Sequence, residues 1–359
     1  LLCTLLLATA CAMAASNYVD SLKPGKPALK SAGALAFGPD GILFVGDSVS
    51  ATIFALDTGD RSAAKSGGTY NLTAINQKIA ALIGSAPDQV MVNDVVVNPI
   101  SKKAYISVSR GRGPDALPVL VRTDAAGKLE EVPLTNVKHS AVLLPNAPDP
   151  SAKTARGAVP RLEAITDLAY VDGKVIVAGL SNEEFSSNLR TIPFPFREAD
   201  KGASVEIFHG QHGRLETNSP VRTFVPYEIK NETFILAAYT CTPLVKFPVA
   251  QLKPGVKIMG TTIAELGNRN RPIDMVVYKK DGKNFILMAN NSRGVMKLPA
   301  DNLETYEGIT KQVEKQGVPY ETLAELKNVD QLDRLDDSSA LILTRSEAGS
   351  LDLKSIPLP

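Results

Sequence analysis

An internal repeat constrains this chain more than any other feature. A short apolar strand, a turn, a second apolar strand and a polar cluster recur along its length. The clearest copies are Leu35–Ser48 (LAFGPDGILFVGDS), Asp94–Arg110 (DVVVNPISKKAYISVSR), Asp167–Asn182 (DLAYVDGKVIVAGLSN) and Asp274–Arg293 (DMVVYKKDGKNFILMANNSR). Weaker copies stand at Tyr227–Cys241 and Asp337–Arg345. Six hairpins with no long helix between them predict an all-β fold, a single β-propeller of six blades, or seven if one long interval hides another. Second strands end near Asp47, Ser109, Ser181, Thr240, Asn290 and Thr344, and each interval has room for four short strands. Pro39-Asp40-Gly41 and Lys280-Asp281-Gly282 are ordinary hairpin-turn sequences.

The interruptions are few. In Asn71–Gly84, Ile75, Ile79, Leu82 and Ile83 fall at helical spacing, which predicts one amphipathic helix. Leu144–Ala164 carries Pro145, Pro148, Pro150 and Pro160 and reads as an irregular loop. Tyr320–Lys327 suits a second short helix. The expected organisation is a leader over 1–15, a linker over 16–31 and the propeller over 32–359.

Basic and acidic residues number 39 and 38, and no basic stripe stands out, so nucleic acid is not an expected partner. Leu1–Ala10 is an apolar run of the length of a signal-peptide core, too short to span a membrane. The run starts without a Met or a basic flank, so a preceding segment is expected. Ala12-Met13-Ala14 fits a cleavage site, and Ala8-Thr9-Ala10-Cys11 resembles a lipobox with Cys11 as the lipid site. The expectation is a periplasmic or extracellular protein, soluble or held by a lipid anchor, with no transmembrane span in the mature chain. Beyond the leader only Cys241 remains, which leaves no internal disulfide. No C-x-x-C-H sequence is present, so a c-type haem is excluded on motif grounds.

Strand polarity locates the site. In a four-stranded blade, strand a starts, strand b ends and strand d ends on one face of the disc. Polar residues at these positions form a candidate channel mouth: Asp47, Asn93, Asp94, Arg110, Asp167, Asn182, Arg271, Asp274, Asn291 and Arg293. Such a ring suits a small molecule or a protein; an Asp at a strand start also caps turn amides. Two of the three histidines lie in His209-Gly210-Gln211-His212-Gly213, after an apparent last strand, with Glu216 beyond. Two imidazoles three apart can approach one ion, and Glu216 or Asp167 can add oxygen, which makes Zn or Cu a candidate there, while the carboxylate ring would suit Ca. One histidine can alternatively act as a general base. Cys241, at the exit of a second strand, is either a thiolate ligand or a small buried hydrophobe.

The unit LAFGPDGILFVGDS resembles the repeat of the NHL, YVTN and gluconolactonase-like propellers, over roughly Ala32–Leu353. This resemblance implies two readings beside each other. One is an extracytoplasmic binding module. The other is a lactonase-type hydrolase with a divalent cation held in the channel by carboxylates and Asn, for which Asp94, Asp167, Asp274 and Asn182 stand at comparable places. The histidine loop departs from that ligand set. A third reading, a quinoprotein-like redox protein, is disfavoured because the chain has no Trp.

Overall fold

A computed structural model describes residues 18–359. The leader, with its lipobox and Cys11, lies outside the described residues. Alternating apolar side chains and frequent tight turns give six sheets, antiparallel except where Lys257–Met259 runs parallel to Ser204–Glu206, and these are the six blades of a propeller.

From the axis outward, blade I is Leu35–Phe37, Ile42–Asp47, Thr52–Asp57 and Val137–Leu143. Blade II is Val90–Val97, Ala104–Arg110, Leu117–Thr123 and Leu129–Glu131. Blade III is Asp167–Val171, Lys174–Leu180, Ser187–Pro193 and Ala203–His209. Blade IV is Thr223–Ile229, Glu232–Ala238, Pro243–Pro248 and Thr261–Glu265. Blade V is Pro272–Lys280, Lys283–Asn290, Gly294–Pro299 and Glu321–Leu323. Blade VI is Val329–Arg334, Ser339–Arg345, Leu351–Pro357 and Asn71–Leu72.

Blades do not follow one another around the ring in chain order. Inner strands pack in the order I, III, IV, V, VI, II and back to I. Two blades are therefore assembled from distant parts of the chain. Asn71–Leu72 completes blade VI by pairing with Leu353 and Lys354, and Val137–Leu143 returns from blade II to complete blade I. The ring is thus closed by backbone hydrogen bonds at two places. Lys23–Gly25 pairs outside Val137–His139 and extends blade I at its rim.

The helix expected after Asn71 forms over Ile75–Leu82, with Ile75 and Ile79 buried between blades II and VI. The second expected helix is replaced by a strand. Glu321–Leu323 pairs with Val295–Lys297 as the outer strand of blade V. Eight residues gain little as an isolated helix, whereas an open sheet edge offers every amide a partner.

The core is divided into wedges between blades. Phe44, Ile53, Val177 and Phe194 fill the I–III junction, and Leu189, Val205, Phe224 and Leu236 fill III–IV. Each such side chain contributes about 1.5–3 kcal/mol on burial. The Pro-rich loop after Leu144 is irregular as expected and ends packed on blade III. There a Cβ at Gly179 would lie 2.1 Å from the Ala164 carbonyl oxygen, so only glycine allows the approach.

Candidate metal centre

His209 is the last residue of the outer strand of blade III and is 2% exposed. A tight turn follows, with the His212 amide donating to the His209 carbonyl at 3.1 Å. The chain then doubles back as Arg214–Glu216, which pairs antiparallel with Ile207–His209. This return brings the Glu216 carboxylate against both imidazoles. Its Oε2 lies 2.9 Å from His209 Nδ1 and its Oε1 lies 2.6 Å from His212 Nδ1. The Ser219 hydroxyl donates to Oε2 at 3.0 Å. Burial would raise Glu216, but the hydrogen bonds from His209 and His212 outweigh it and hold its carboxyl at about 2. An ionised Glu216 only accepts, so each Nδ1 carries a proton, and in a neutral ring Nε2 is then the lone-pair nitrogen. The Nε2 of His209 is buried and has no hydrogen-bond partner.

The third donor comes from the neighbouring blade. Tyr239–Thr242 forms the turn between the second and third strands of blade IV, with the Thr242 amide donating to the Tyr239 carbonyl at 2.9 Å. Cys241 and Thr242 both adopt left-handed backbone, at φ 64° and 59°. Such residues cost energy and persist where surrounding bonds hold them. Here the Cys241 amide donates to Asn270 O at 2.7 Å, and Thr242 Oγ1 donates to Gly267 O at 2.7 Å. One ligand atom each from His209, His212 and Cys241 lie within 4.8 Å of one another.

Glu265, the last residue of the outer strand of blade IV, joins the two halves. Its Oε1 accepts the Gly210 amide at 2.6 Å, inside the histidine turn, while its register partner is Pro243, next to the Cys241 turn. Burial raises this carboxyl to about 7, against the pull of the Gly210 and Gln211 amides.

Two imidazoles and one thiolate are borderline-to-soft donors, which suit Zn²⁺ or copper rather than Ca²⁺. A carboxylate behind two ligand histidines is the usual outer partner that fixes ring tautomer and orientation. Glu216, which the sequence offers as a ligand, has its two oxygens on the two Nδ1 atoms.

The carboxylates of the inner strands do something else. Asp94, Asp167, Asp274 and Asp333 each accept the next residue's amide with one oxygen, at 2.7–2.8 Å. The other oxygen accepts an amide from the adjacent blade. Asp167 takes Phe224 N at 2.7 Å, Asp274 takes Leu332 N at 3.0 Å, Asp333 takes Val97 N at 2.6 Å and Asp94 takes Leu35 N at 2.7 Å. Four of the six blade junctions are tied in this way. Burial lifts Asp94 to about 6; burial and neighbouring Asp94 lift Asp167 and Asp333 to about 7. Burial and the other three carboxylates raise Asp274 well above its usual range. Each of these four carboxylates thus already accepts two strand amides.

Other mouth candidates are similarly engaged. Asp47 is buried and accepts Lys30 N, Ser31 Oγ and Ser50 N, at 2.6, 2.6 and 3.0 Å. Asn93 donates to Ala32 O at 2.7 Å and Ser109 Oγ at 2.9 Å. Arg110 donates to Gly84 O at 3.1 Å, and Arg293 donates twice to Asn268 O, at 3.2 and 2.8 Å. Asn291 accepts the Arg271 amide at 2.7 Å. Asn182 is exposed, its amide donating to Asn146 O at 2.8 Å. Strand polarity places these residues and the histidine turn on one face, but the inner Asp residues line the axis while His209 ends an outer strand.

The sequence leaves Cys241 open between ligand and packing roles, because only blade register reveals its histidine neighbours. Asp333 does not stand out in the sequence at all. Its copy of the repeat is degenerate, and only its bond to Val97 marks it as equivalent to the other three.

No family model and no curated protein matches this chain. Among solved structures it is similar to the PQQ-bound aldose sugar dehydrogenase of Streptomyces coelicolor, with a TM-score of 0.42 and 11% identity over 94% of this chain and 96% of that one. An oxidoreductase (glucose dehydrogenase) from Thermus thermophilus gives a TM-score of 0.37 and 13% identity, over 93% and 100%. Drosophila Plexin A in complex with Semaphorin 1b gives 0.41 and 9%, over 94% and 87%. Likenesses this distant speak to neither substrate nor partner. Among the described residues, no helix is long and apolar enough to cross a membrane.

Proposed function

We propose that this chain is an exported β-propeller binding module that holds one zinc or copper ion on the rim of its polar face, between blades III and IV. The carrying observation is the convergence of His209, His212 and Cys241, supplied by two blades, on one small volume. Glu216 supports the reading, because it fixes both rings with Nε2 free to bind. So does the buried, unpartnered His209 Nε2. Export rests on the apolar Leu1–Ala10 run alone. Untagged protein, stripped and then reconstituted with Zn²⁺ or Cu²⁺ and desalted, tests the centre. One equivalent of metal per chain is expected, and its loss in His209→Ala/His212→Ala. Retention of that equivalent in the double variant would overturn the reading.

A further inference from the structure

We infer that the ion at this centre is copper and that the centre carries single electrons. The inference rests on the metal reading above.

The donor set selects the metal. Among the described histidines, cysteines and acidic residues, His209, His212 and Cys241 form a group of three. Structural zinc sites are closed by four such ligands. Two imidazoles and one thiolate, completed by a weak axial donor, are instead the ligands of copper electron-transfer sites. Methionine sulfur, a glutamine amide oxygen or a backbone carbonyl serves as that axial donor. Gln211 stands between the two histidines in the turn, and its Oε1 is buried with no hydrogen-bond partner.

The surroundings suit an ion that changes charge without changing its ligands. Glu216 holds His209 and His212, Asn270 and Gly267 hold the Cys241 turn, and Glu265 holds the Gly210 amide of the histidine turn. The two imidazole rings already lie close, with centroids 3.9 Å apart. Donors fixed in this way by their own partners rearrange little between Cu²⁺ and Cu⁺. His209 is 2% exposed, whereas the His212 side chain is 40% exposed, so one ligand ring leads from the ion to the surface. The step is a one-electron exchange. Cu²⁺ takes an electron from an outer-sphere one-electron donor, and Cu⁺ passes it to an outer-sphere one-electron acceptor. No bond in the protein breaks and no proton moves.

The untagged full chain, stripped of metal, is loaded in separate samples with one equivalent of Zn²⁺ or of Cu²⁺. The copper sample should show an intense visible thiolate-to-copper charge-transfer band and a narrow copper hyperfine splitting in electron paramagnetic resonance. Ascorbate should bleach the band, and ferricyanide should restore it in full over repeated cycles. Cys241→Ser, with an unchanged circular dichroism spectrum, should lose the band. Bound Cu²⁺ without a charge-transfer band would overturn the inference, as would a band that survives in Cys241→Ser. A band that fades for good as the thiol is oxidised would do the same. Uptake of zinc without uptake of copper would overturn the copper assignment and leave the metal reading standing. Uptake of neither ion would strike the metal reading itself.

Discussion

Asp167 offers a quantitative test of the ring ties. Its two oxygens accept Leu168 N and Phe224 N, both at 2.7 Å, so it joins blade III to blade IV. Folding lifts its carboxyl from an ordinary value near 3.8 to about 7. A raised folded value means that the native state binds the proton more tightly than the unfolded chain does. The resulting stabilisation is fully present below the unfolded value and is lost as pH rises through the folded one. Two units below the folded value the binding ratio is about a hundred, so the loss between pH 5 and pH 8 is about 2–3 kcal/mol for this site. Asp167→Asn cannot titrate, and its amide nitrogen must face one of the two strand N–H groups. An unpaired buried N–H costs about 1–3 kcal/mol. Urea unfolding of both proteins at pH 5 and pH 8 separates these effects. The variant should be less stable at pH 5 by about 1–3 kcal/mol, and the gap should close or invert at pH 8. A gap of the same size at both values would refute the claim that Asp167 is held protonated by its surroundings.

Further outcomes follow from the same geometry. Glu216→Gln should lower metal affinity roughly 10- to 100-fold while leaving the circular dichroism spectrum unchanged, as outer-sphere partners of ligand histidines do. Gly179→Ala should destabilise the fold by more than about 3 kcal/mol in denaturant titrations, because its Cβ would meet the Ala164 carbonyl at 2.1 Å. Deleting Asn71 and Leu72 should open the edge of blade VI, seen as faster hydrogen exchange over Leu351–Pro357. If Cys11 is a lipid site, intact mass of the exported chain should show a diacylglyceryl increment that disappears in Cys11→Ala.

The hairpins are legible in the sequence because period-two apolar runs and glycine turns are local signals. Ring order is not. It depends on two strands, Asn71–Leu72 and Val137–Leu143, whose partners lie far away in the chain, and the first is only two residues long. The fate of Glu321–Leu323 is likewise set by an open edge on blade V rather than by its own propensity. At the site, the H-x-x-H spacing points to a metal, yet a turn of this type specifies only two donors. The third, Cys241, is delivered by a left-handed turn on the next blade, held there by Asn270 and Gly267. The Asp residues are visible as a repeat, but their role follows from a second amide, across the blade junction, that no single hairpin contains.

X-ray absorption spectroscopy at the metal edge, on untagged protein loaded with one equivalent of zinc, tests the central claim most directly. The centre described here predicts one sulfur neighbour at about 2.3 Å and two imidazole nitrogens at about 2.0–2.1 Å, completed by one light atom. The sulfur shell should vanish in Cys241→Ser. A shell made only of oxygen, or a sulfur signal that survives that substitution, would contradict the account.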